Sequence, residues 1–234
     1  MGVVSTVKGM QFLIELDGPV VDIRPRYYRA HRLVQGELGL ASRDADEFWR
    51  LVRKGAGAAE IVRPHRSGQL AAYAQRFEAA LLSDSLLELD VPQKDVVIHV
   101  SGLREVAPCS LVSVRPDRQA TQRLLDRHEL WRHFRILRLL SQDRSVRMSQ
   151  LTDWVRQSDQ TVAAVASETM VLSAREAGAV VVGVANGAST PRRLRQAGAD
   201  MVVADLGELV EAVQQSSDEL IRAGYRPPHR RDPS

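Results

Sequence analysis

The chain has 234 residues, 44% hydrophobic and 26% charged, a balance that supports a packed core and excludes an intrinsically disordered polymer. Its 32 lysines and arginines stand against 29 acidic residues, a net charge of +3, too weak over so large a surface to imply nucleic acid. No apolar run reaches the ~18 residues of a spanning helix, and one cysteine, Cys109, excludes an internal disulfide or a thiolate zinc cage and suits a reducing compartment, the cytoplasm by expectation.

Gln11-Phe-Leu-Ile-Glu-Leu16 is a short apolar run closed by Asp17-Gly18-Pro19, which predicts a buried strand ending in a tight turn. From about Pro25 to Val91 the period becomes helical. Tyr27, Tyr28, His31, Leu33 and Val34 recur at helical spacing, Ser42 is placed to cap a helix carrying Phe48, Trp49, Leu51 and Val52, and Leu70 to Leu82 repeats the pattern. Gly55 and Gly57 break the middle of this stretch. Further strand-like runs lie at Ser110–Val114, more weakly at Ile136–Leu140, then at Thr161–Ala166, Val180–Val184 and Met201–Ala204, with helical stretches between them. Strands alternating with helices predict a doubly wound α/β fold, a parallel sheet covered on both faces. The expected organisation is a Rossmann-like core of residues 1–23 and 92–225, an inserted helical cap of residues 24–91, and a basic, proline-rich tail of residues 226–234. An insertion directly after the first strand overhangs the crevice at the carboxyl ends of the strands, where ligands of open α/β sheets bind.

Glu15 and Asp17 stand at i and i+2 at the end of that strand, so alternation sets both on one face. Such a pair can hold Mg²⁺ beside a phosphate, one group as nucleophile or ligand and the other as general acid or base. Arg115 stands close enough to Ser113 to contact a bound anion. The remaining arginines of residues 118–132, with Asp117 as N-cap and Asp126 and Glu129 as opposite charges, read as an ion-paired helix face. His31, His65, His99, His128 and His133 have no ligand partner at metal spacing and read as packing or surface residues. Gly183-Val-Ala-Asn-Gly187 resembles a phosphate loop, yet Thr190 before Pro191 is a good helix start, and the segment reads as structural.

In order and spacing the chain resembles the haloacid dehalogenase superfamily, in its phosphoglycolate-phosphatase-like branch with a helical cap. The resemblance rests on Glu15-Leu-Asp17-Gly18-Pro-Val-Val-Asp22, on Ser113 ending the next core strand, on Ser173-Ala-Arg-Glu-Ala-Gly178 with Val181-Val-Gly-Val184, and on Ala197-Gly-Ala-Asp-Met-Val-Val-Ala-Asp-Leu-Gly-Glu-Leu209. It implies Glu15 and Asp17 as catalytic positions, Gly18, Ser113, Arg115 and Arg147 around a phosphate, and Mg²⁺ as cofactor. Three motifs depart from the pattern. The attacking aspartate is replaced by Glu15, a methylene longer, whereas in-line attack requires the oxygen held near 3 to 3.5 Å. No lysine follows Lys94, so the phosphate-clamping role falls to Arg147 or Arg144, and a guanidinium is not a conservative exchange for an ammonium. The acidic metal ligands of the fourth motif align with Val165-Ala166 and Met170, leaving Glu168 as the nearby carboxylate for a metal set of Glu15, Asp17 and Glu168. The expected function is that of a phosphatase-like protein with weak or lost activity. An active Mg²⁺-dependent phosphomonoesterase and a non-catalytic interaction or regulatory protein are the alternatives. The expected partners are a small phosphorylated molecule and a second copy in a homodimer, with neither nucleic acid nor membrane.

Overall fold

A computed structural model describes residues 9–62 and 68–226; His65 and the tail from residue 227 lie outside the described residues. The chain runs β1 (Met10–Glu15), β2 (Val21–Asp22), α1 (Arg24–Leu38), α2 (Ala45–Lys54), α3 (Ala58–Ile61), α4 (Gln69–Leu81), α5 (Asp84–Leu87), β3 (Val91–Pro92), α6 (Val96–Arg104) and β4 (Cys109–Ser113). It continues through α7 (Arg118–Arg127), a 3-10 turn at Trp131–His133, β5 (Leu137–Leu139), α8 (Arg144–Val155), β6 (Gln160–Val165), α9 (Glu168–Glu176), β7 (Val180–Val184), α10 (Pro191–Ala197), β8 (Met201–Val203), α11 (Leu206–Gln214) and α12 (Asp218–Arg222).

Six strands form one parallel sheet in the order β5-β4-β1-β6-β7-β8. Successive side chains of a strand face opposite layers, and the core divides accordingly. Phe12, Ile14, Leu111, Val162 and Val182 pack with α6, α7 and α11 on one face, while Leu13, Val112, Ala163 and Val181 pack with α8, α9 and α10 on the other. Near-continuous apolar strands are what a sheet buried on both faces demands. The predicted doubly wound α/β architecture is the one observed.

Between β1 and β4, α1 to α4 enclose a separate small core of Val34, Phe48, Ile61, Val62 and Tyr73. His31 belongs to it. The imidazole stacks on Phe48 at 4.2 Å and its Nδ1 lies 2.6 Å from the Tyr73 hydroxyl; burial, aided by Arg43 and Arg32, pushes its pKa down to about 4. The N-cap of α2 is Asp44, whose side chain accepts the Glu47 amide at 2.8 Å, rather than the expected Ser42, which is occupied by Arg43 O and Arg32. Asp117 and Thr190 cap α7 and α10 as expected. Patterning gave no sign of the antiparallel ribbon in which Val21 and Asp22 pair with Pro92 and Val91. Two-residue strands carry no period, and proline is a poor strand signal. This ribbon ties together the outgoing and returning connections between the sheet and the helical insertion. No helix among the described residues is long and apolar enough to cross a membrane.

Candidate functional site

β1 delivers Glu15 and Asp17 to the carboxyl edge of the sheet, and the turn after it depends on Gly18. Its φ is +102°, and a Cβ there would lie 2.6 Å from Ala166 Cβ and 3.0 Å from Gly187 Cα. Three loops, those following β1, β6 and β7, therefore meet at small residues. They wall a cavity of about 320 Å³ whose lining includes Glu15, Asp17, Tyr27, Arg147, Ser167 and Met170.

Glu15 reaches across to the start of α9. Its Oε2 accepts the amides of Ala166 at 2.7 Å and Ser167 at 3.2 Å, and its Oε1 accepts the Ser167 hydroxyl at 2.8 Å. Burial raises its pKa to about 7 against the pull of those donors. The carboxylate thus occupies the anion-favouring amino end of α9 itself.

Asp17 is held differently. Arg115 donates Nε to Oδ1 at 2.8 Å and Arg26 donates Nη2 to Oδ2 at 2.6 Å. The same two guanidiniums grip the fully buried Asp90, Arg26 through Nε at 3.1 Å and Arg115 through Nη2. Asp17, Arg115, Asp90 and Arg26 therefore close a ring of two cations and two anions. Burial opposes ionisation of Asp17, but Arg115 and Arg26 outweigh it and hold the carboxyl below its usual range. In Asp90 burial wins over the same two arginines and lifts the pKa to about 6, still low enough for a carboxylate at neutral pH.

The structure brings Glu15, Asp17 and Arg147 to one cavity and leaves the other expected site residues elsewhere. Gly18 serves the close approach of the loops, and its N–H donates to Val21 O at 3.0 Å. The Ser113 hydroxyl is buried and accepts the Arg115 amide at 3.2 Å. Arg115, expected to meet an anion, is committed to Asp17 and Asp90. Arg147 stands at the wall, with Nη1 donating to Ser141 O and Gln142 O at 3.0 and 2.9 Å and Nε to Ser173 Oγ at 3.2 Å. Arg144 is 66% exposed and pairs with Glu176 at 2.7 Å, outside the cavity lining. Glu168 accepts Arg193 Nε at 2.5 Å and the Ser189 hydroxyl at 3.2 Å, so it serves the packing of α10.

Mg²⁺ takes oxygen ligands in tight octahedral geometry, and these donors do not suit it. Both oxygens of Asp17 carry guanidiniums, both oxygens of Glu15 accept N–H or O–H groups, and Glu168 is paired. No group of three or more His, Cys, Asp or Glu side chains that could hold a metal occurs among the described residues.

Sequence reasoning missed Arg26, Asp90 and Tyr27. Arg26 reads as an ordinary residue of a helix start, and its partner Asp90 is 64 positions away; no local pattern links them.

No family model and no curated protein matches the sequence. Among solved structures, a hydrolase of the haloacid dehalogenase-like family from Streptococcus pneumoniae superposes with a TM-score of 0.66 at 17% identity, covering 88% of this chain and 97% of its own. A "predicted phosphatase" from Clostridium acetobutylicum gives 0.65 at 14% identity, with 90% and 100% covered. A "predicted phosphoglycolate phosphatase" from Haemophilus somnus gives 0.61 at 15% identity, with 91% and 100% covered. Sheet, helical insertion and strand order together give this chain the haloacid dehalogenase-like fold.

Proposed function

We propose that the chain is a haloacid dehalogenase-like protein whose cleft binds a small molecule without a divalent cation and has weak or no phosphatase activity. The observation that carries this reading is the occupation of both Asp17 oxygens by Arg26 and Arg115. A phosphoryl transfer of the kind the fold supports needs a free nucleophilic carboxylate, a cation beside the transferred group and a clamp on its oxygens. Here Glu15 is turned to the amides of Ala166 and Ser167, both Asp17 oxygens carry guanidiniums, and Arg147 already donates to three oxygens. Each such loss is worth several kcal/mol of transition-state stabilisation, and ~1.4 kcal/mol is tenfold in rate.

The second reading, a working Mg²⁺-dependent phosphomonoesterase using Glu15 and Asp17, is favoured by the convergence of Glu15, Asp17 and Arg147 on one cavity. It requires both arginines to leave Asp17. An assay of the purified protein with Mg²⁺ against a panel of phosphomonoesters separates the two. We expect no turnover beyond that of a Glu15→Ala variant; robust hydrolysis that disappears in this variant would establish the second reading.

A further inference from the structure

The sheet ends at β5, and no strand among the described residues pairs with its outer edge. An open edge presents main-chain donors and acceptors to an extended segment. Beside it lies a cavity of about 160 Å³ whose walls include Leu125, Trp131, Phe134 and Ile136. Trp131 is 57% exposed and Ile136 45% exposed, so an apolar slot adjoins the edge.

Charge supplies the third observation. Arg132 is neutralised by Glu129 at 2.6 Å, whereas Arg135 and Arg138 have no acidic partner among the described residues. Arg138 lies over the Trp154 ring at 4.6 Å and donates to Gln157 Oε1 at 3.3 Å, with its Nε buried and unbonded. Burial, and after it the charge of Arg135, lower its pKa. Arginines on an edge also guard against self-association, since pairing two copies there would bring like charges together. That same charge selects a partner of opposite sign.

We infer that β5 and the slot beside Trp131 form a docking site for an extended acidic peptide segment of another protein, added to the sheet as a further strand with an apolar side chain in the slot. The site is independent of the cleft. Fluorescence anisotropy of a fluorescein-labelled hexapeptide alternating glutamate and valine tests it. Saturable binding is expected, weakened at least about tenfold by Arg135→Glu and by Trp131→Ala and unaffected by Lys94→Glu, a charge reversal away from the edge. Arg135 is exposed, so its reversal keeps the test decisive if Trp131→Ala lowers the melting temperature. No saturable binding, equal binding by Arg135→Glu, binding of oligothymidylate in preference to the peptide, or an Arg135-dependent dimer in sedimentation would each overturn the inference.

Discussion

Glu15 retains 3% of its surface and is held by two amides and a hydroxyl, yet burial lifts its pKa from 4.5 to about 7. The folded chain therefore keeps a proton that the unfolded chain releases. The associated stability is fully present below about pH 4.5 and is lost as pH rises to about 7, a total of about 3 kcal/mol. Asp90, raised to about 6, loses stability in the same sense, so one pH profile cannot separate them. Comparison with Glu15→Gln does, because that variant removes one titration and keeps the other. Denaturant midpoints should show the variant gaining about 2 to 3 kcal/mol on the wild type between pH 5 and pH 8; parallel profiles would refute the assignment. At this scale the sequence exposed Glu15 and Asp17 as a pair, because i and i+2 spacing is local. It could not disclose that one would be satisfied by amides of α9 and the other by two arginines, because both sets of partners come from distant segments.

Every core strand predicted from an apolar run is present, shifted by no more than a residue or two at its ends. Patterning works here because strands of a sheet covered on both faces are short, near-continuous apolar runs set off by turn residues. Cap identity is less legible: Ser42 and Asp44 are both good N-caps, and the choice falls to the one whose carboxylate meets the Glu47 amide. The resemblance implies Gly18 beside a phosphate; the structure gives it a role between elements, where the turns after β1, β6 and β7 touch at Gly18, Ala166 and Gly187. Gly18→Ala adds a methyl at a positive φ against the main chain of Gly187. A loss of about 3 kcal/mol is expected from strain and overpacking together, measured as a fall in the urea midpoint. An unchanged midpoint would mean that the loops can part at no cost.

Across the whole molecule, the ring of Asp17, Arg26, Asp90 and Arg115 links the end of β1, the first turn of α1, the return from α5 and the loop after β4. Arg26 adds a bond to Leu81 O at 3.1 Å, so the helical insertion and the sheet share one buried charge cluster. A second contact lies farther out, where Arg53 of α2 donates to Ala185 O at 2.6 Å and Arg193 donates to Arg53 O at 3.3 Å. Removing one member of a buried ion-pair network strands its partners without water. Arg115→Met should therefore cost about 3 to 5 kcal/mol in chemical denaturation, and a loss below about 1 kcal/mol would show that the ring does not bind the two parts together. The sequence by itself determined the alternation of strands and helices, the insertion after the first strand and the position of two carboxylates at the strand's end. These are matters of period and order, encoded within a few residues of one another. Only the tertiary structure decided that these carboxylates meet arginines and amides, since hydrogen-bonding partners of buried charges are chosen by the packing of segments up to 152 positions apart, and no local pattern records that choice.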